Sequence, residues 1–253
     1  MSGSQGMHSP VAQFEIKPLI ELSFGGYDLS FTNSSLFMML AIGVSAAFLI
    51  SAMRGGALVP GRMQGLAEMI YEFVAEMVRS NVGHEGRPYF PFIFTLFVFL
   101  LFGNMLGLIP YSYTFTSQIV VTFAMAAFVF VGVTLIALFK HGLHFFSFFV
   151  PAGAPKVLIP FLIVIEVISY FVRPVSLSVR LFANMLAGHT MLKVFAGLAV
   201  MISGAGGLAM AGSLLPFVAL IGLTGLEVLV AALQAYVFTI LTCMYLNDAL
   251  HLH

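Results

Sequence analysis

Arg180 lies inside the apolar run Ser176-Leu177-Ser178-Val179-Arg180-Leu181-Phe182-Ala183-Asn184-Met185. A guanidinium keeps its proton at any accessible pH, so it cannot become neutral to suit an apolar environment. Holding it at membrane depth costs at least ~2.5–3.5 kcal/mol. A chain that accepts this cost must turn the arginine toward protein, water or a moving counter-charge. Glu166, Arg173, Arg180 and Asn184 follow one another at intervals of 7, 7 and 4 residues. At 3.6 residues per turn they form a single stripe. An internal Glu166–Arg173 pair gluing a bundle together would account for the first two. It leaves Arg180 unexplained, because no second acid lies one turn away. His189 is nine residues past Arg180, on roughly the opposite face of the same helix. Glu227 and Gln234, seven residues apart, share a face of a later apolar stretch.

If those two stretches are antiparallel, Glu227 comes beside His189, and Gln234 approaches the level of Arg180 or Asn184. The chemistry this suits is an interrupted proton path. His189 and Glu227 can bind and release protons on one side of the membrane, and Glu166 can do so on the other. Arg180 cannot relay a proton, so it blocks direct leakage between the two halves. A mobile carboxylate on another subunit would carry protons past it. That acid would discharge near Arg180, because an adjacent positive charge lowers its pKa, and reload from the other half.

Composition agrees with a membrane setting. The 253 residues are 60% hydrophobic and 8% charged, whereas a soluble domain carries roughly 25% charged residues. The fold class expected is an all-α integral membrane protein. A formal net charge of zero argues against a nucleic-acid partner. Cys243 alone supports neither a disulfide framework nor a metal site, and no cofactor is implied. Residues 1–33 are polar to mixed, without a basic region leading into an apolar one. They read as an external N-terminal segment and not as a cleavable signal, leaving the first span as the insertion signal.

The elements that position these residues are legible along the chain. Residues 34–53 form a first span, long enough for the ~30 Å hydrocarbon layer. Residues 62–82 form an amphipathic helix, with Leu66, Ile70, Phe73, Val74, Met77 and Val78 on one face and Glu68, Glu72, Glu76 and Arg79 on another. It suits a membrane surface, a packed partner or a plain solvated face. Residues 90–110 and 117–139 form a tight transmembrane hairpin across a short polar turn, where Gly103-x-x-x-Gly107 allows close approach. Residues 157–202 and 214–248 form a long hairpin carrying the proton path, joined by a glycine-rich turn over 203–213. A helix of about 45 residues would be ~68 Å long, so it breaks, with Pro174 as one kink site, or it tilts steeply. Arg54, Arg62, Arg79 and Arg87 in one segment and Lys140 and Lys156 in another mark the cytoplasmic side. The N-terminus is then outside and the C-terminus cytoplasmic.

The run Arg173-Pro174-Val175-Ser176-Leu177-Ser178-Val179-Arg180-Leu181-Phe182-Ala183-Asn184-Met185-Leu186-Ala187-Gly188-His189 resembles the signature of subunit a of the F-type ATP synthase. Gly222-Leu223-Thr224-Gly225-Leu226-Glu227, Gln234-Ala235-Tyr236-Val237-Phe238 and Asn104-Met105-Leu106-Gly107-Leu108-Ile109-Pro110-Tyr111 extend that resemblance over about 30–250. It implies a membrane stator of a rotary motor in an energy-transducing cell inner membrane. Arg180 would face the c-ring, with Asn184 and Gln234 as polar neighbours. His189 and Glu227 would line the outer half-channel and Glu166 the inner exit, with Arg173 and Ser176 as secondary positions. The placement of His189 before Glu227 resembles the alphaproteobacterial and mitochondrial form. The expected partners are the c-ring, subunit b and the peripheral stalk, the F1 catalytic sector and lipid. Nucleotide chemistry would belong to other subunits, in keeping with the lack of a Walker loop here. A secondary transporter or a proton channel with a midplane arginine is the alternative. It would call for internal repeats, and 34–139 and 157–248 show no convincing similarity.

Overall fold

The computed structural model describes residues 16–251, except 22, 25–26, 29, 58, 110–111, 143–144, 146–148, 150–157 and 205–211. Two short antiparallel ladders precede the first helix: β1 (Pro18–Ile20) pairs with β4 (Phe31–Thr32), and β2 (Ser23–Phe24) with β3 (Tyr27–Asp28). Sequence patterning in this mixed segment did not anticipate them. The Thr32 hydroxyl then accepts from the Ser35 amide and caps α1 (Asn33–Met53).

The remaining helices are α2 (Arg62–Val82), α3 (Phe90–Gly107), α4 (Ile119–His141), α5 (Ile159–Gly204) and α6 (Leu214–Leu250). A 3₁₀ segment, Gly83–Tyr89, links α2 to α3, and a 3₁₀ turn, Phe115–Ser117, precedes α4. Gly83 permits the first of these junctions: its φ of 75° is open to glycine and strained for other residues. Among the described residues, five helical runs are long and apolar enough to cross a membrane: Asn33–Met53, Arg62–Gly107, Ile119–His141, Ile159–Gly204 and Leu214–Leu250. In the second run the apolar part is α3. The chain is an all-α integral membrane protein.

α6 is the hub, packing on α5, α3, α2 and α4. Its buried side, including Ala231, Ala235, Phe238 and Cys243, is largely small where helices approach closely. One face of α2 packs on its own chain: Val74, Met77, Val78 and Val82 are buried against the bundle, with α3 and α6 among its neighbours. Leu66 and Phe73, expected on that apolar face, are instead exposed by 47% and 46%. Phe73 still reaches the Phe97 and Tyr236 rings at 5.7 Å.

α5 does not break. It runs 46 residues with Pro174 inside it and buried, and at 1.5 Å per residue it is about 69 Å long. Proline removes one backbone bond and crowds the carbonyl four residues earlier, yet neighbouring rings hold this stretch. Tyr170 packs against Phe130, Phe145 and Phe149 and bonds the Thr134 hydroxyl at 2.7 Å. The glycine-rich turn expected over 203–213 falls mostly outside the described residues, as do Pro110-Tyr111, His144 and Lys156.

Candidate functional site

Two polar contacts show that α5 and α6 are antiparallel. Arg173 Nη1 lies 2.9 Å from Asp248 Oδ2 near one end, and His189 Nδ1 lies 2.7 Å from Glu227 Oε1 toward the other. At the Arg173 end, Lys140 pairs with Glu85, and His141 Nε2 sits 3.1 Å from the Ala249 carbonyl oxygen. The 3₁₀ link after α2, the end of α4 and the end of α6 therefore meet at one end of the bundle. The Lys140 ammonium, through its hydrogen bond and then its charge, holds the Glu85 carboxyl below the usual carboxylate range.

The Glu166–Arg173 pair is not formed. Arg173 instead reaches Asp248, with its guanidinium 5.5 Å from the Tyr170 ring centroid and 5.2 Å from that of Tyr245. Asp248 was missed because a late acid in a short polar ending carries no periodic signal; only the antiparallel return of α6 brings it to Arg173. Glu166 is half-buried on the same helix and forms no ion pair among the described residues.

Arg180 is exposed, as are Ser176 and Asn184. Val172, Val175 and Val179 on the same helix are also exposed, so the outer surface of α5 here mixes valines with Ser176, Arg180 and Asn184. Among the described residues Arg180 makes no ion pair or hydrogen bond. Gln234 is turned into the protein, 8% exposed.

His189 and Glu227 face inward, 9% and 5% exposed. The segment that contacts His189 is the connection from α3 to α4. Read as a short polar turn, it is a buried plug: Tyr113, Thr114, Phe115, Thr116 and Ser117 are all buried. A buried loop must satisfy its polar groups internally, and the serine and threonine hydroxyls of this one do, whereas the buried Tyr113 hydroxyl has no hydrogen-bond partner among the described residues. Ser112 Oγ and Thr114 Oγ1 both donate to the Gly107 carbonyl, at 2.9 and 3.1 Å. Thr116 Oγ1 donates to Asn104 Oδ1 at 2.9 Å, and Asn104 Nδ2 donates to the Ala231 carbonyl of α6 at 3.2 Å. Thr114 Oγ1 also lies 2.5 Å from His189 Nε2.

Three glycines make room for this cluster. A Cβ on Gly103 would sit 2.4 Å from Phe115 Cζ, and one on Gly107 would sit 2.6 Å from Thr114 Oγ1. The Gly103-x-x-x-Gly107 pattern thus admits the plug and not a second helix. A Cβ on Gly188 would sit 2.7 Å from Glu227 Oε1. Among the described residues no group of three or more His, Cys, Asp or Glu could hold a metal ion.

The arrangement is a buried acid–base pair at one level and an unpaired cation facing outward, about 13 Å along α5 at 1.5 Å per residue. Residues 35–247 match the family model of the ATP synthase A chain. The chain belongs to the ATP synthase subunit a family. It is 58% identical to ATP synthase subunit a of Rhodospirillum rubrum over 247 residues, 98% of this chain and 100% of that protein. Identity to the subunit of Parvibaculum lavamentivorans is 57% over 242 residues, 96% of this chain and 93% of that one. To that of Agrobacterium fabrum it is 52% over 244 residues, 96% and 98%. These relatives are similar along nearly their whole length, so the buried plug and the α5–α6 hairpin both fall inside the shared region.

Proposed function

We propose that this chain is the proton-translocating stator subunit of an F-type ATP synthase, with Arg180 separating two offset half-channels that serve a rotating c-ring. One observation carries the reading: a permanent cation lies exposed on a membrane-length helix, among exposed valines and the neutral Ser176 and Asn184, without an ion-pair partner among the described residues. Lipid is a poor neighbour for it. A ring of carboxylates passing that face supplies the missing counter-charge and is discharged by it.

In this reading His189 and Glu227 load or unload ring carboxylates from the outer side, and Glu166 serves the inner exit. Asn184 and Gln234 are neutral hydrogen-bonding groups near the arginine, with Arg173 and Ser176 in secondary positions. Arg173 holds α5 to α6 by its pair with Asp248. The long, unbroken α5 and α6 lie inclined along the ring, which accommodates helices of ~69 and ~55 Å at 1.5 Å per residue in a ~30 Å layer.

The membrane is the cell inner membrane, with the N-terminus outside and the Lys140–Glu85 end cytoplasmic, as the lysine and arginine distribution favours. Subunit b, the peripheral stalk and the F1 catalytic sector approach from that side, near α2. Protons are the ion favoured by an imidazole in the path.

Single cysteines at Val179 and at Val133 test the facing surface. Cys243 is buried and free, so it stays out of the chemistry. In the assembled complex, Val179→Cys is expected to cross-link to a cysteine on the outer ring helix, and the buried Val133→Cys is not. No cross-link from Val179 in a complex that pumps normally would place the ring elsewhere.

A further inference from the structure

The α3–α4 plug touches the proton path through one side chain whose role the reading above leaves open. The Thr114 hydroxyl is within reach of two groups: the Gly107 carbonyl at 3.1 Å and His189 Nε2 at 2.5 Å. A hydroxyl has one proton to donate and two lone pairs to accept with. The other imidazole nitrogen, Nδ1, faces Glu227 Oε1 at 2.7 Å. Both side chains are buried, so an unpaired N–H or lone pair in this cluster is costly.

Counting protons on the His189–Glu227 pair gives two states. With one proton, it sits on Nδ1 and is donated to the Glu227 carboxylate, leaving Nε2 a bare acceptor; the Thr114 hydroxyl then donates to Nε2. With two protons, Nε2–H donates to Thr114 Oγ1, and the hydroxyl turns its own proton to the Gly107 carbonyl. The second proton lies between Nδ1 and Oε1, as imidazolium–carboxylate or imidazole–carboxylic acid. Thr114 Oγ1, the Gly107 carbonyl and His189 Nε2 satisfy the Nε2 side of both states, with only the hydroxyl rotating; Glu227 Oε2 has no hydrogen-bond partner among the described residues. An apolar side chain could satisfy neither, and a fixed donor or acceptor only one.

We infer that Thr114 is a positioning residue for proton transfer, its hydroxyl turning between the Gly107 carbonyl and His189 Nε2 as the His189–Glu227 pair gains and loses a proton. The inference rests on the proposed role of that pair in the outer half-channel. The other titratable or charged groups nearby among the described residues are Tyr113, buried beside Thr114 in the plug, and Lys193, exposed one turn further along α5. α3 contributes only the neutral Asn104, and α1 and the start of α4 contribute no charged group. Charge-assisted hydrogen bonds are the stronger kind. Loss of the hydroxyl therefore weakens the doubly protonated state more, and the second proton binds only at lower pH.

The test is passive proton flux through vesicles carrying the assembled complex after the catalytic sector is stripped, recorded against external pH. Thr114→Val keeps the shape and removes the hydroxyl. It is expected to lower flux about tenfold and to move the midpoint of the pH profile down by about one unit, the effect of one hydrogen bond to a charged group. Thr114→Ser keeps the hydroxyl and is expected to retain the wild-type midpoint. A Thr114→Val complex with unchanged flux and midpoint overturns the inference. So does an equal loss in Val and Ser variants with no midpoint shift, which is the signature of packing alone. His189→Gln and Glu227→Gln, run in parallel, separate the two claims: normal flux in both removes the outer half-channel reading itself.

Discussion

Arg173 and Arg180 sit seven residues apart on one helix and differ in almost everything except residue type. Seven residues is within about 20° of two full turns, so the two leave α5 in nearly the same direction. Arg173 meets the returning end of α6, where Asp248 accepts its proton-rich fork at 2.9 Å and two tyrosine rings flank it. Arg180 meets a stretch of α6 with no acid at all, since none occurs between Glu227 and Asp248. The first cation is satisfied within its own chain and holds two helices together. The second is exposed and makes no ion pair among the described residues, and in the proposed reading its counter-charge comes from another subunit. An arginine at membrane depth is thus informative according to whether its own chain completes it.

The largest effect should come from changing the open arginine while keeping its charge. A lysine ammonium is a compact charge that loses its proton readily when desolvated, and it lacks the planar fork. Arg180→Lys is expected to lower ATP-driven pumping at least ~10-fold with the complex still assembled. Full pumping would mean that any cation on that face suffices.

Next in size is Gly188→Ala. Its Cβ would come 2.7 Å from Glu227 Oε1, so the carboxyl has to turn away from His189. Passive flux in stripped vesicles should fall several-fold and the thermal midpoint should drop. Wild-type flux would show that the His189–Glu227 contact is not on the path.

The paired arginine should behave differently. Arg173→Met removes one partner of a pair whose side chains are 21% and 38% exposed. Discounted for that solvent access, the loss is about 1–2 kcal/mol including the ring contacts. Thermal unfolding of the purified complex should show it, and Arg173→Met with Asp248→Leu should recover most of it. Pumping lost as completely as in the Arg180 variant would erase the distinction between the two arginines.

The smallest effect lies at the exposed Lys140–Glu85 pair. The Glu85 carboxyl is held below its unfolded value by Lys140. Its contribution to stability is therefore complete above the ordinary glutamate pKa of about 4.3 and disappears as pH falls through the lower folded value. Glu85→Gln should lower the thermal midpoint slightly at neutral pH and leave it unchanged below the lowered folded value, which flattens that acid limb in a thermal-midpoint series.

Sequence periodicity was enough for the all-α membrane class, because long apolar runs bounded by Arg54, Pro88 and Lys140 have few alternatives in a bilayer. It also gave the inward turn of His189 relative to Arg180, which follows from nine residues at 100° each. Asp248, Thr114 and Thr116 were not legible. Each owes its place to a return of the chain, the first through α6 and the others through a plug whose five buried residues read as an ordinary polar turn. Gly188 belongs to the same class: its need appears only once the Glu227 carboxyl is seen against the α5 backbone. The continuity of α5 through Pro174 was likewise undecided, since the rings around Tyr170 that brace it come from α4 and from Phe145 and Phe149 beyond it.

The central claim is that Arg180 is a barrier between two paths and not a fastening. Arg180→Ala complexes, purified to confirm assembly, should be placed in vesicles and measured twice: for ATP-driven pumping, and for passive leak once the catalytic sector is stripped. The account predicts pumping lost with leak retained or raised. Normal pumping in the same vesicles would contradict it and leave Arg180 a structural cation.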